Sequence, residues 1–477
     1  MRQGALAVAA VLALTTFTPA QSPAQSPRGG LTGAAQVGRV YDAILDARFD
    51  EVPRLLTQTC PPAPREVCTL LDTVALWWRI QLDPANTARD AGFRVKVDAS
   101  IAAIDAWTKA EPMRAEAWFY LGGAYGARGQ HRVLRGQILA AARDGKRIKD
   151  ALERSLDLDP ELKDAYFGIG LYHYYADVAP AAAKMLRFLL FLPGGDKVAG
   201  LQEMLRARDG GQLLRSEADY QLHVIYLWYE KQPLRAIERV NGLQARYPRN
   251  PHFPQVVAEI QDVYLHDLTA SLRSWQALLA LAREGKVAEA PMAEARARLG
   301  IATQLDRLFE TDLAVTELRT VIAARPSTPF GAVAEAERQL QKALDRLRDP
   351  AYRSSLDGWR ALQRGALDEA GAALARALAL RPGDPVTLYR QARLLVARRD
   401  DAAALPVLDS ITRARETTPP TFYADACLEA ARIHEARGDR ARAVELYATA
   451  RGVFGADQRT KDAAQRAHAR LTAAAPR

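Results

Sequence analysis

The chain has little that would mark a catalyst. Its three cysteines, two of them close together beside proline, do not provide the spacing of a zinc knuckle. Of its seven histidines, His131, His173, His223, His252, His266, His434 and His468, no two form a His-Glu-x-x-His pair; His434-Glu435 has no second histidine one turn on. A Gly-x-Ser-x-Gly elbow and a Gly-x-x-x-x-Gly-Lys-[Ser/Thr] loop are both missing. The glycines of Pro193-Gly194-Gly195-Asp196-Lys197 are wrongly spaced to cradle a phosphate. They read instead as a helix-ending turn, with Asp196 capping the next helix. No catalytic residue, no metal site and no cofactor is therefore expected. Period-two runs of β-branched residues are also missing, and aromatics are only 7% of the chain, which argues against an all-β protein.

Charge excludes another class. The formal net charge is +9 over 477 residues, but the basic groups are scattered. Arg393, Arg398 and Arg399, for example, stand close to Asp400 and Asp401. Without a basic run interleaved with aromatics, a nucleic-acid partner is not expected. A solvated helical surface accounts for most of this charge, with attraction to an acidic partner or an anionic envelope surface as the alternative.

What the chain does have is Ala, Leu and Arg at helical spacing. Before Pro382 stand Ala370, Leu374 and Ala377, at 12, 8 and 5 residues. Steps of four and three put all three on one helical stripe. The preceding helix closes at Gly365, and Asp368-Glu369 opens the next with charge that suits its dipole. The same spacing places Ala314, Leu318 and Val321 before Pro326, and Ala236, Val240 and Leu243 before Pro248. Ile148, Leu152 and Ser155 before Pro160 match less well, and Ala443, Tyr447 and Ala450 follow Gly438. This pattern resembles the tetratricopeptide-repeat family, whose 34-residue helix-turn-helix unit has a small-large-small stripe and a terminal proline. The resemblance is good over residues 351–455, fair over 115–350 and poor before that. It implies an all-α fold, a right-handed superhelix of antiparallel helix pairs, and binding of peptides or partner segments on the concave surface.

Residues 1–24 read as a secretory signal. Arg2 is followed by a 13-residue apolar run, Ala5–Phe17, and by small residues around Ala20 and Ala24 that suit cleavage. No cysteine follows the run, so a lipoprotein is not expected; residues 25–36 read as a disordered tether. Export to a periplasm or beyond fits Cys60 and Cys68, which flank Pro61–Val67 and are candidates for a disulfide. Cys427 reads as a small buried hydrophobe.

Residues 37–114 are expected to form an atypical helical cap. Over 115–210 the repeats diverge: a second helix extended by 14 residues, spanning about 131–158, is expected to project past its neighbours. A nearly all-apolar helix at 181–192 follows, with Lys184 and Arg187 on one side. Regular repeats resume over 211–472. Groove-facing candidates, carried over from the resemblance, are Ile169, Tyr172, His173, Gln221, Ile225, Trp228, Tyr229, Trp359, Tyr389, Arg393 and Arg432. Each aromatic among them has a competing role in helix packing. The expected function is that of a non-enzymatic exported scaffold holding a protein or peptide. The alternative is an envelope-attachment protein that contacts membrane or polysaccharide through helix 181–192 or the basic surface.

Overall fold

The computed structural model describes residues 30–179 and 194–473. Among them every regular element is a helix, 22 in all. The chain opens with α1 (Ala34–Leu45) and α2 (Val52–Thr59), then α3 (Arg65–Leu82) and α4 (Asp90–Ala110). Next come the hairpin of α5 (Ala115–Leu134) with α6 (Ile138–Leu158) and the pair α7 (Ala165–Val178) with α8 (Lys197–Gly210). Three more hairpins follow: α9 (Arg215–Trp228) with α10 (Pro233–Arg246), α11 (His252–Val263) with α12 (Leu268–Arg283), and α13 (Ala290–Arg307) with α14 (Thr311–Ala324). A single helix, α15 (Ala332–Leu347), lies against α13 and α14. A second run pairs α16 (Pro350–Gln363) with α17 (Leu367–Leu380), α18 (Pro385–Ala397) with α19 (Asp401–Arg413), and α20 (Pro420–Ala436) with α21 (Arg440–Arg451). The last helix, α22 (Gln458–Ala473), packs on α20 and α21. First helices of successive pairs also lie side by side, α1 on α3 on α5 on α7, and α16 on α18 on α20. This is an all-helical solenoid of stacked hairpins.

The stripes read from the sequence are its seams. Ala370, Leu374 and Ala377 are buried, as are Ala314, Leu318 and Val321, Ala236, Val240 and Leu243, and Ala443, Tyr447 and Ala450. A large residue on the second helix needs a small one facing it. Leu152 shows why: a Cβ at Gly122 on α5 would lie 2.7 Å from its side chain, and one at Gly168 on α7 only 2.4 Å. Helix starts are set by short acidic side chains. Asp196, Asp267, Asp349, Asp384, Asp400 and Asp439 each accept a hydrogen bond from a first-turn amide. At Asp349-Pro350 and Asp384-Pro385, proline follows the cap at the first helical position, where no amide hydrogen is needed.

The long helix expected over about 131–158 is corrected. Helix α5 runs through Gly129 to Leu134, the turn falls at 135–137, and α6 begins at Ile138. The extra residues lengthen both arms of the hairpin instead of one, so neither projects alone. Buried Asp144 fastens the lengthened part: it accepts from Arg128 at 2.8 and 3.2 Å and from Arg132 at 2.5 Å. Helix α6 runs unbroken through Asp144-Gly145. The leader expected over 1–24 and the apolar helix expected over 181–192 lie outside the described residues. A disulfide joins Cys60, just past α2, to Cys68 in the first turn of α3, and Cys427 is buried.

Candidate partner-binding surfaces

The first hairpins curve so tightly that their inner faces meet. On α1, the Tyr41 hydroxyl donates to Glu217 of α9 at 3.0 Å. Asp42 accepts from Tyr247 at 2.7 Å, and the Asn250 amide donates to the Leu45 carbonyl at 2.7 Å. On α3, the Trp78 ring packs on Tyr220 of α9 at 5.3 Å and on Phe253 of α11 at 6.2 Å. Asp83, just past α3, accepts from the Phe330 amide at 3.0 Å and lies 3.6 Å from Arg296 of α13. One continuous apolar core therefore runs from Leu31 to Met292. The concave wall of this part is filled by the chain's own first helices.

Burial shapes the ionisable groups along that closure. Burial raises the Glu217 carboxyl above the usual range, against the lowering effect of hydrogen bonds from Tyr41, Gln221 and Gln130. Buried His223 and half-buried His252, both beside Tyr220, are pushed down by desolvation to about 4 and about 3. At neutral pH these two rings are uncharged parts of the core.

The groove-facing candidates accordingly divide. Ile169, Ile225 and Tyr389 are core side chains with less than a tenth of their surface exposed. They are corrected from partner contacts to packing residues: Ile169 and Ile225 lie in the core of the first hairpins, and Tyr389 lies in that of the last ones, edge-on to Phe422 at 5.4 Å. Gln221 is half-buried and bonds to Glu217. Tyr172 is half-buried with Lys149 over its ring, and His173 Nδ1 sits 2.8 Å from Glu203. Trp228 and Tyr229, at the exit of α9, are different: 62% and 42% of their surfaces are exposed. Trp228 lines an open depression of about 580 Å³ with Leu227, Lys231, Pro233 and Tyr264. Behind it the Tyr229 ring meets Tyr174 and Tyr175 edge-on at 5.8 and 5.5 Å, and Tyr174 donates to Glu230 at 2.6 Å.

The second run holds the other candidates. Arg393 and Arg432 lie 3.5 and 3.1 Å from the same carboxylate, Glu429. Trp359 donates through Nε1 to Glu310 at 2.7 Å. Glu310 belongs to the corner between α13 and α14, and the whole corner, Phe309–Asp312, is held by first helices of the second run. The Phe309 ring meets Tyr352 of α16 at 6.3 Å and Phe422 of α20 at 5.8 Å, and its carbonyl accepts from Arg390 of α18 at 2.7 Å. Thr311 Oγ1 is 2.7 Å from the Tyr352 hydroxyl, and Asp312 accepts from Arg360 Nε at 2.8 Å. Burial would raise the Asp312 carboxyl, but the bonds from Arg360 outweigh it and hold it below the usual range. Tyr352, Arg360, Arg390 and Phe422 were not among the sequence candidates. Their type suited recognition, but nothing local says that a corner some eighty residues upstream of Arg390 packs on them.

No protein-family model matches the sequence, and no curated protein matches it either. Solved structures do. A tetratricopeptide-repeat protein from Parabacteroides merdae is 16% identical, with 54% of this chain and 98% of that one covered, at a TM-score of 0.29. The TPR2AB domain of yeast Sti1, solved in complex with pHSP90, is 14% identical over 54% of this chain and 98% of that one, at 0.23. Yeast Tom70 is 11% identical over 92% and 90%, at 0.26. Tetratricopeptide-repeat proteins are thus among the structures similar to this chain. At these scores the description of the fold rests on the hairpin packing itself.

Proposed function

We propose that the chain is a non-enzymatic, exported helical-repeat scaffold that binds a protein or peptide partner. The observation that carries this reading is the open depression at the α9 exit. An indole exposed over most of its surface, beside Tyr264, Pro233 and a lysine, combines large apolar area with polar handles at little side-chain entropy cost. The rigid hairpin stack fixes its position. Export is supported by the leader-like residues 1–24 and by the Cys60–Cys68 bond, which suits an oxidising compartment.

The test is a crosslinking pull-down with the full chain beside a Trp228→Ala/Tyr229→Ala variant of equal helicity by circular dichroism. A partner captured by the wild type and lost from the variant supports the reading, while equal capture places recognition elsewhere. Sedimentation of both forms with anionic liposomes, without any protein captured, would replace the reading by envelope attachment.

A further inference from the structure

The corner Phe309–Asp312 is held as a bound peptide would be. Its four residues are contacted by side chains from three successive first helices of the second run, beyond the adjacent α15. Each contact suits a different feature of the segment. An aromatic pair, Tyr352 and Phe422, takes the ring, and Arg346 lies over the same ring at 5.8 Å. Arg390 takes a main-chain carbonyl, Trp359 Nε1 takes the first acid, and Arg360 takes both acids. Arg390 is the most telling. The residue is 1% exposed; among the described residues it donates to the Phe309 carbonyl and to Ser355 Oγ at 3.0 Å and lies over the Trp359 ring at 5.8 Å, while its Nε has no hydrogen-bond partner. A buried cation held by neutral acceptors, with a donor left over, is an incomplete match for the segment it holds.

We infer that the inner face made by Tyr352, Trp359, Arg360, Arg390 and Phe422 is a recognition site for a protein segment carrying an aromatic residue followed by acids, and that Phe309–Asp312 occupies it in cis. The inference rests on the reading of the chain as a binding scaffold and names the chemistry of one partner and the contact that holds it off. A segment with a further carboxylate or amide oxygen in reach of Arg390 Nε would satisfy the donor that the corner leaves unpaired. Charge complementarity and the aromatic clamp both favour such a segment over a purely apolar one.

The experiment uses the full chain, wild type and Glu310→Gln/Asp312→Asn, and a fluorescein-labelled peptide of this chain's residues 303–315. The paired substitution keeps the shape of the corner and removes the charges that Arg360 holds. Fluorescence anisotropy is expected to show at least about ten-fold tighter binding to the variant than to the wild type, because the cis segment competes less well. Giving the peptide the same two substitutions is expected to remove that binding, and so is adding Arg360→Ala to the protein. Equal affinity for both proteins, no saturable binding, or binding indifferent to the peptide's acids would overturn the inference. Phe309→Ala is the second release variant, expected to act in the same direction. If both variants lose helicity by circular dichroism, the corner is a structural joint and the inference falls. Because Trp228 and Tyr229 take no part in these arms, the pull-down that tests the proposed function succeeds or fails independently.

Discussion

Replacing Gly168 by Ala should have opposite effects in two backgrounds. In the wild type, the new Cβ would stand 2.4 Å from Leu152 Cδ1 and 3.2 Å from Ile148 Cγ2. Overpacking of this kind costs about 1–3 kcal/mol. Against it stands the gain of about 1 kcal/mol for Ala over Gly inside a helix. Because Leu152 is also closed in by Gly122, whose own Cβ would lie 2.7 Å away, its side chain has little room to yield. The net expectation is a loss of up to about 2 kcal/mol. Leu152→Ala alone should cost about 2–5 kcal/mol through lost burial and the cavity left behind. In that background Gly168→Ala no longer meets the leucine methyls and should stabilise by up to about 1 kcal/mol, which makes the cycle strongly non-additive. Stacked hairpins open locally, so the quantity to follow is hydrogen exchange by mass spectrometry in peptides spanning residues 145–172. If Gly168→Ala shifts protection in the same direction and by the same amount in both backgrounds, the small-against-large account of the α5–α6–α7 seam is wrong.

Acid should loosen the closed inner face. His223 and His252 bind protons in the folded chain only below about 4 and about 3, but near 6.5 when unfolded, so their contribution is full above pH 6.5 and is lost as pH falls toward those values. Glu217, raised by burial, acts in the opposite sense by taking up its proton first in the folded state. A His223→Gln/His252→Gln variant should therefore lose less Tm between pH 6.5 and 4.5 than the wild type; parallel curves would refute the assignment. Opening the Cys60–Cys68 bond, which closes a separation of eight residues, should cost about 2–3 kcal/mol. Thermal melts of Cys60→Ser/Cys68→Ser against the oxidised wild type measure it, and an unchanged Tm would show that the α2–α3 connection is held without the bridge.

Local signals read well because they concern neighbours in the chain. The stripes at Ala370, Leu374 and Ala377 and at Ala236, Val240 and Leu243 bury against the other arm of their own or the next hairpin, so spacing alone assigns them. Asp196 was legible as a cap for the same reason. The turn of the lengthened hairpin was not, because Gly129 has the same local signature whether it ends a helix or sits inside one against Asp144, 3.6 Å from where its Cβ would be.

The candidate surface was less legible still. A tyrosine or isoleucine on a first helix reads identically whether the groove before it is open or filled. Ile225 became core and Trp228, three residues later, stayed exposed because α1 and α3 reach across to α9 and α11. The sequence by itself determined the helices, their caps and the stripes on which they pair, since each depends on residues a few positions apart. The tertiary structure decided which inner faces are closed, that the Phe309 corner lies on α16, α18 and α20, and that Trp228 is left to solvent. Those outcomes follow from the curvature summed over many hairpins, and no single repeat carries that information.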